Sequence, residues 1–344
     1  MKYTPLYELH KALGAKFIEF SGWQMPLYYT SMVEEAKATR ANVGVFDVSH
    51  MARFLITSDS LNLLDMLFTN DPRRLDIKKA QYTLLCNERG GVIDDTILMN
   101  LDNTKFLLIA NACNHNKVWS WLKLHTKNEI IEDVTEHIAS IAIQGPNAEG
   151  LLEKIFDIDL SKLERFCLLK LDDLIISRTG YTGEDGFEIF APSNVIYPLW
   201  EKALSLGGIP CGLGARDILR LEAGYCLYGN ELNEDIDPIT AGLKRFVKLD
   251  SRSFIGSEKI RELIINGTKE RLIWFRMQDK IIPRKGDEIR YQGIKVGRVT
   301  SGNYSPKFDV GIGMGYVDSE IAKDGNSVDI VIRNSPRIGI ISKR

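Results

Sequence analysis

Residues 81–112 read QYTLLCNERGGVIDDTILMNLDNTKFLLIANA. This stretch contains three apolar runs of strand length, QYTLLCN, DDTILMN and FLLIANA, which are separated by Gly, Asn and Asp turns. A strand-like run, RFLIT, and a helical run, SLNLLDMLF, come before it, while the helical run NHNKVWSWLKLH and the strand-like run EIIED follow. This order predicts an α+β unit that resembles a split βαβ arrangement.

Helices and strands alternate on both sides of this unit. Before it, SMVEEAKATRANVG predicts a helix, because Ser31 and Glu34 have capping-box spacing and Gly44 provides a stop. After it, we predict strands in ASIAIQGP, LIISRTG and FEIF, and helices in NAEGLLEKIF, NVIYPLWEKALSL and ARDILRLEAG. The second of these helices would end at Gly207-Gly208.

The helical pattern fades after roughly Phe254. The runs RLIWFRM, DEIRYQGIKVGRVTSG, VGIGMGYV and VDIVIRN are separated by turn residues and predict a β domain over the last ~75 residues. Gly311, Gly313 and Gly315 alternate within one of these strands. We interpret them as a strand packed closely against another backbone and not as a phosphate-binding loop.

Length and composition restrict the class of protein. The 344 residues exceed the ~250–300 at which single cores stop growing, so two or three domains are expected. Lys and Arg total 44 against 46 Asp and Glu. The chain therefore lacks the excess of positive charge that nucleic-acid binding uses. No apolar run approaches the ~18 residues of a membrane span, and the N-terminus has no apolar leader. We expect a cytoplasmic protein that binds neither nucleic acid nor membranes.

The cysteines and histidines carry no metal or disulfide signature. The five cysteines are odd in number and form no C-x-x-C pair, which favours a reducing compartment. The five histidines include no H-x-x-x-H or H-E-x-x-H spacing, so no metal site is expected. With no Cys-His constellation, we also expect that no cysteine takes part in catalysis.

Three regions could carry chemistry, and the first is NERGGVIDDTI. Gly90-Gly91 turns the chain into a strand that carries Asp94 and Asp95. Adjacent strand residues face opposite sides of a sheet, so only one of these carboxylates can point into a site. The alternative is a hairpin turn with two solvated carboxylates. Alternation does not decide which Asp faces inward.

The second region is SRTGYTGEDGFEIF. Its glycines are spaced by three residues: Gly180, Gly183 and Gly186. That spacing would keep side chains clear of a ligand, with Tyr181 as an aromatic wall. Glu188 lies on the opposite strand face from Phe187 and Ile189, so it faces solvent or a cavity if those two face a core. A flexible surface hairpin is the alternative.

The third region is GLGARDILRLEAGYCLYGNEL. Arg216 and Arg220, at i and i+4, share one helix face, and such a pair of cations could bind carboxylates. The alternative is that one arginine pairs with Asp217 or Glu222 while the other is solvated. From chemistry alone the three regions indicate a cavity with Asp, Glu, Arg and Tyr side chains and no obvious nucleophile.

These regions, read with FSGWQMPLYY, VGVFDVSHM, AIQGP and VTSGNYSP, resemble the glycine cleavage system T-protein family from Tyr7 to about Val317. The resemblance implies a three-domain cloverleaf around a central folate cavity. The first domain would be discontinuous, over residues 1–51 and 137–250, with a ferredoxin-like second domain inserted over 52–136. A C-terminal β-barrel-like domain would occupy 251–344.

The resemblance also implies a reaction. An aminomethyltransferase of this family receives the aminomethyl group carried on the dihydrolipoyl arm of the lipoylated H-protein. It transfers the carbon to tetrahydrofolate, which gives 5,10-methylenetetrahydrofolate and ammonia. Tetrahydrofolate is the co-substrate, and no metal is required.

Family positions transfer to individual residues of this chain. The first of the paired aspartates, Asp94, would be catalytic, and Asp95 would be its structural partner. The residues implied to contact folate are Met51, Tyr82, Asp94, Asn111, Tyr181, Glu188 and Arg216. The chain departs from the family pattern at Lys117-Val118 and at Lys244-Arg245-Phe246.

Two other functions fit parts of the pattern. A tetrahydrofolate-dependent demethylase of a small methylated substrate would use a similar pocket. A folate-binding iron–sulfur assembly factor would not be an enzyme, but its K-G-C-Y-x-G-Q-E signature is absent. The intact GYTGEDGFE and GLGARDILRLEAG runs favour the aminomethyltransferase.

Overall fold

Helices and strands are mixed along the chain, which confirms the predicted α+β class. The structure is a computed structural model that describes residues 1–250 and 252–342. Residue 251, the first of the predicted third domain, and residues 343–344, its last, lie outside the described residues. The α-helices are α1 (Tyr7–Ala12), α2 (Met32–Ala41), α3 (Asn62–Leu67), α4 (His115–His125), α5 (Ala148–Phe156), α6 (Ser193–Ser205), α7 (Leu213–Glu222) and α8 (Ser257–Asn266).

The strands of the described chain form three open sheets and one barrel. In chain order they are β1 (Lys2–Tyr3), β2 (Lys16–Phe20), β3 (Trp23–Tyr28), β4 (Gly44–Asp47), β5 (Ala52–Thr57), β6 (Lys79–Cys86), β7 (Val92–Asn100), β8 (Lys105–Ala110), β9 (Ile130–Asp133), β10 (Ile138–Gln144), β11 (Leu168–Leu171), β12 (Leu174–Ser177), β13 (Gly186–Pro192), β14 (Ile209–Cys211), β15 (Glu270–Met277), β16 (Glu288–Tyr291), β17 (Ile294–Ser305), β18 (Val310–Asp318), β19 (Ser327–Ile332) and β20 (Ser335–Ser342).

The chain divides into two compact units. The first contains Met1–Leu64, Asp71–Thr83 and Asp95–Arg216, and the second contains Asp65–Asn70, Leu84–Asp94 and Asp217–Arg344. The division into three domains with the boundaries given above remains a prediction.

Helix α2 begins where the sequence predicts but ends for a different reason. The side chain of Ser31 accepts a hydrogen bond from the backbone N–H of Glu34 at 3.3 Å, which confirms the predicted cap. The prediction that Gly44 stops the helix is wrong, since α2 ends at Ala41 and Gly44 starts β4. A Cβ on Gly44 would lie 2.2 Å from Oγ1 of Thr39, so glycine lets the strand pack against the helix.

A six-stranded sheet in the first unit has the order β11-β12-β13-β10-β4-β14. Strand β10 pairs antiparallel with both β13 and β4. Alternate residues of β10 and β13, namely Ile141, Ile143, Phe187 and Ile189, enter one core with Trp200 of α6. Each of these five side chains is fully buried, so the apolar face of α6 is what fixes it on this sheet.

The first unit also contains a three-stranded sheet in the order β1-β3-β2. A five-stranded sheet, β6-β7-β8-β5-β9, contains the strands of residues 81–112. Strands β5 and β8 pair antiparallel over their full length, from Ala52 opposite Ala110 to Thr57 opposite Lys105. The predicted strands of this region are therefore confirmed.

The C-terminal strands form a closed barrel in the order β15-β18-β17-β16-β19-β20, as the β-domain prediction requires. Strand β15 closes it by pairing with both β18 and β20. A Cβ on Gly311 would lie 2.0 Å from the carbonyl oxygen of Ile281, and one on Gly315 would lie 2.6 Å from that of Arg298. The expectation that this glycine run packs against neighbouring backbone is confirmed.

Helix α8 lies in the region where the helical pattern was expected to have faded. Its N-cap is Gly256, at φ +86°, and no side chain caps its first turn. The usual Ser, Thr, Asp or Asn start signal is therefore missing from the sequence. Within the described part of the chain, no helix is both long and apolar enough to cross a membrane.

Candidate functional site

Glu188 faces away from the core of the six-stranded sheet. Its neighbours Phe187 and Ile189 are fully buried, whereas Glu188 is half-buried on the other face of β13. Oγ1 of Thr179 donates a hydrogen bond to Oε2 of Glu188 at 2.6 Å. Strand alternation thus places Glu188 as the sequence predicts, and Thr179 fixes the carboxylate.

Arg216, near the start of α7, stacks on Tyr181. Its guanidinium carbon lies 4.8 Å from the centre of the tyrosine ring, within the range of a cation–π interaction. Its Nη1 atom is buried without a hydrogen-bond partner among the described residues. Such an atom is uncommon in native proteins and is frequently associated with a functional site.

The charge of Glu188 acts on Arg216, so Glu188 belongs with the Arg216–Tyr181 pair. Burial lowers the pKa of Arg216 from its usual value, while the charges of Glu188 and Tyr181 oppose that shift. A carboxylate, a phenol and a guanidinium, each on a partly buried residue, therefore lie close together in the first unit. The structure brings Tyr181, Glu188 and Arg216 together, and a planar ligand with hydrogen-bond donors suits such a set.

The second arginine of the helix has a different role. Arg220 is buried and forms ion pairs with Asp217 at 2.9 Å and Glu231 at 3.0 Å. It also donates to the hydroxyl of Ser301 at 2.9 Å. One arginine of the pair is thus held by carboxylates, as the alternative interpretation states, but Arg216 is only partly exposed and stacks on Tyr181.

Asp95 forms hydrogen bonds with two of the other predicted site residues. It accepts a hydrogen bond from the Tyr82 hydroxyl at 3.0 Å and from Nδ2 of Asn111 at 2.8 Å. Asn111 also donates to the backbone carbonyl of Asp95 at 3.1 Å. Tyr82 and Asn111 are therefore oriented by a carboxylate of their own unit.

Asp94 belongs to the second unit and is fully buried on β7. The turn before it is fixed by Asn87, whose side-chain oxygen accepts from the backbone N–H of Gly91 at 3.0 Å. A Cβ on Gly91 would lie 1.8 Å from the carbonyl oxygen of Glu234, which explains the glycine. The alternative of two solvated carboxylates is wrong, because Asp94 is buried and Asp95 is hydrogen-bonded.

His50 is a residue of this region that the sequence interpretation missed. It is buried, its ring meets that of Phe20 edge-on at 5.7 Å, and its Nδ1 has no partner among the described residues. Burial and the charge of Arg216 lower its pKa to about 3, so the imidazole is neutral. Its local sequence, SHM, contains no spacing that predicts a site. Its neighbour Met51 packs, partly buried, against an apolar cluster that includes Phe190.

No group of three or more His, Cys, Asp or Glu side chains suited to a metal occurs within residues 1–250 and 252–342. The predicted site residues Met51, Tyr82, Asn111, Tyr181, Glu188 and Arg216 lie in the first unit, and Asp94 lies in the second.

Comparison with known proteins covers nearly the whole chain. Residues 6–251 match the family described as GCVT N-terminal domain, and residues 270–343 match the one described as glycine cleavage T-protein C-terminal barrel domain. The aminomethyltransferase of Thermoanaerobacter sp. (strain X514) is 43% identical over 100% of this chain and 97% of its own. That of Bacillus subtilis (strain 168) is 41% identical over 97% and 95%, respectively.

Solved structures give the same relationship. The crystal structure of the glycine cleavage system aminomethyltransferase T from Bartonella henselae superposes with a TM-score of 0.95 at 34% identity. The match covers 99% of this chain and 97% of that one.

Proposed function

The chain belongs to the glycine cleavage T-protein family of tetrahydrofolate-dependent aminomethyltransferases, and we propose that it takes its aminomethyl group from the lipoylated H-protein. The products are 5,10-methylenetetrahydrofolate, ammonia and the reduced dihydrolipoyl arm. The transferred carbon forms bonds to N5 and N10 of the folate and loses its bonds to sulfur and to the departing nitrogen. The protons of N5 and N10 balance those gained by the thiol and ammonia, so no oxidant is needed.

The observation that carries this proposal is the partly buried set of Tyr181, Glu188 and Arg216. The Glu188 carboxylate suits the pterin because the exocyclic amine and the adjacent ring N–H are two parallel donors. The Tyr181 ring, backed by the Arg216 guanidinium at 4.8 Å, offers an aromatic surface to the flat ring system. We assign Met51, Tyr82 and Asn111 to the remainder of the folate pocket.

Asp94 is the proposed catalytic residue. Its carboxylate would hold the N5/N10 edge of the folate and favour proton loss as nitrogen attacks the aminomethyl carbon. Positioning contributes to rate as much as basicity in such a step. Its complete burial supports the role, because a carboxylate removed from water interacts strongly with a nearby developing charge.

A direct assay of the two products tests this proposal. The protein is incubated with tetrahydrofolate and aminomethylated H-protein, and methylenetetrahydrofolate and ammonia are measured. Equal yields of the two products are expected, with none from H-protein that carries an unloaded lipoyl arm. Absence of product with loaded H-protein, together with turnover of a small methylated amine, would replace this proposal with the demethylase.

A further inference from the structure

A buried glutamine, Gln144, lies at the end of β10 and holds the loop that carries Tyr181. Its side chain is fully buried. Nε2 donates to the carbonyl oxygens of Thr179 at 3.1 Å and Phe187 at 3.2 Å. Oε1 accepts from the hydroxyl of Thr182 at 2.9 Å. Because carbonyls only accept, the orientation of this amide is unambiguous.

The three bonds reach the beginning, the middle and the end of one loop. Residues 178–185 connect β12 to β13, and we call them the 178–185 loop. Thr179 lies near its start, Thr182 in its middle, and Phe187 just beyond its end. The Gln144 side chain thus forms hydrogen bonds on both sides of Tyr181.

One glycine of the loop, Gly180, is explained by the same side chain. A Cβ on Gly180 would lie 1.9 Å from Oε1 of Gln144, whereas one on Gly186, the first residue of β13, would lie 2.6 Å from the carbonyl oxygen of Ile143. Gly183 has φ +76°, a conformation that favours glycine. Gly180 therefore makes room for the Gln144 side chain, where the sequence suggested room for a ligand.

The ion pairs of the loop are more exposed than Gln144. Arg178 pairs with Asp185 at 2.5 Å, with side chains 16% and 36% exposed, and Arg40 pairs with Glu184 at 2.6 Å. Partly solvated ion pairs contribute little to rigidity. The buried amide of Gln144 contributes more to the rigidity of the loop, because its hydrogen-bond partners are left unsatisfied when it is removed.

We infer that Gln144 is a positioning residue for tetrahydrofolate, acting through Tyr181 and Glu188 without touching the ligand. Thr179 accepts from Gln144 through its backbone and donates to Glu188 through its side chain, so one residue transmits the position of the amide to the carboxylate. The inference rests on the proposed function, since it names how that pocket is kept in shape.

The test removes the amide without changing volume greatly. Gln144→Leu is expected to raise the tetrahydrofolate Kd about tenfold, the effect of leaving buried backbone groups unpaired, while kcat at saturating folate stays within about threefold. Thr182→Val removes one of the three bonds and serves if Gln144→Leu does not fold. It is expected to raise Kd about threefold.

Two controls separate positioning from general destabilisation. Asn100→Leu removes another buried amide of the first unit, which donates to the carbonyl of Leu75 at 2.8 Å. It is expected to lower the melting temperature and leave Kd unchanged. In a Tyr181→Ala background, Gln144→Leu should weaken binding by less than about threefold, because residues that act through one another are not additive.

The outcomes are distinct. Folded Gln144→Leu and Thr182→Val proteins that bind tetrahydrofolate as the unmodified protein does would overturn the inference and leave the proposed function standing. An undiminished effect in the Tyr181→Ala background would also overturn it. Failure of the unmodified protein to bind tetrahydrofolate would overturn the proposed function and this inference together.

Discussion

Nε2 of His10 lies 2.9 Å from Oδ2 of Asp47, and neither side chain is exposed. Tyr29 completes the chain of contacts, with its hydroxyl 2.9 Å from Nδ1 of His10. Burial raises the pKa of the Asp47 carboxyl, but the hydrogen bonds from His10 and from the backbone N–H of Ser49 outweigh it and lower the pKa to about 2. Folding therefore favours the ionised form of Asp47.

This depressed pKa predicts the acid sensitivity of the protein. A carboxyl whose pKa falls on folding stabilises the protein above its unfolded pKa of about 3.9, and the contribution is lost as the pH falls toward 2. The difference in unfolding free energy between the protein and Asp47→Asn should be about 1 kcal/mol smaller at pH 3 than at pH 6. Urea unfolding of both proteins at each pH measures it. A difference that does not vary with pH would contradict the assignment.

Asp94→Asn is expected to lower turnover by about 10²-fold or more, the usual contribution of a positioned acid–base group. Asp95→Asn is the matched control on the next residue. It should act mainly on stability, because Asp95 holds Tyr82 and Asn111. Steady-state kinetics and thermal melts of both variants test this. A folded Asp94→Asn enzyme with full activity would disprove the catalytic role.

Glu188→Ala should weaken tetrahydrofolate binding by about 2–3 kcal/mol, since it leaves two buried pterin donors unpaired. Glu201→Ala, which removes an exposed carboxylate from α6, provides the control and should bind normally. Calorimetric titration with tetrahydrofolate distinguishes them. Equal affinity in the two variants would reject Glu188 as a folate ligand.

Replacement of all five cysteines should leave the rate of methylenetetrahydrofolate formation within a small factor. Burial raises the pKa of Cys86, and it raises that of Cys211 to about 12, so neither is a thiolate at neutral pH. Cys113 is exposed and is the residue most open to chemical labelling. The prediction would be contradicted if labelling of a cysteine abolished turnover without unfolding the protein and if bound substrate prevented that labelling.

The buried ion pair of Arg220 and Glu231 predicts a large structural effect. The side chains are 2% and 0% exposed. Glu231→Ala would leave the arginine charge buried without that partner, at a cost of about 3–5 kcal/mol. Denaturant unfolding should show the loss. A change below about 1 kcal/mol would indicate that water or a neighbour replaces the carboxylate.

The sequence predicted correctly the elements that are determined by residues close together in the chain. The cap at Ser31, the alternation around Glu188 and the close-packed glycines of β18 depend on neighbours in the chain or on the two-residue repeat of a strand. Helix α8 lacks such a signal, because Gly256 precedes it without a side-chain cap. Gly44 shows the opposite error, since a residue typical of a stop serves a contact with Thr39.

The candidate site was less predictable because its geometry comes from residues distant in the chain. Strand alternation required Asp94 and Asp95 to face opposite ways but could not choose between them. The Arg216 helix face could equally have been solvated, and only its contact with Tyr181 decides otherwise. Gln144 precedes the loop it holds by more than thirty residues, with separations of 35 to Thr179 and 43 to Phe187, and no local pattern encodes that contact.

Closure of the barrel has a kinetic consequence. Trp274 on β15 pairs with Ser342 on β20, so almost the whole barrel segment must be synthesised before that seam can form. Pairings this distant in the chain slow folding, and until β20 arrives the unpaired edge of β15 is open to other extended chains. The finished barrel has no such edge. The pairing of β20 therefore protects the newly made protein from association through this edge.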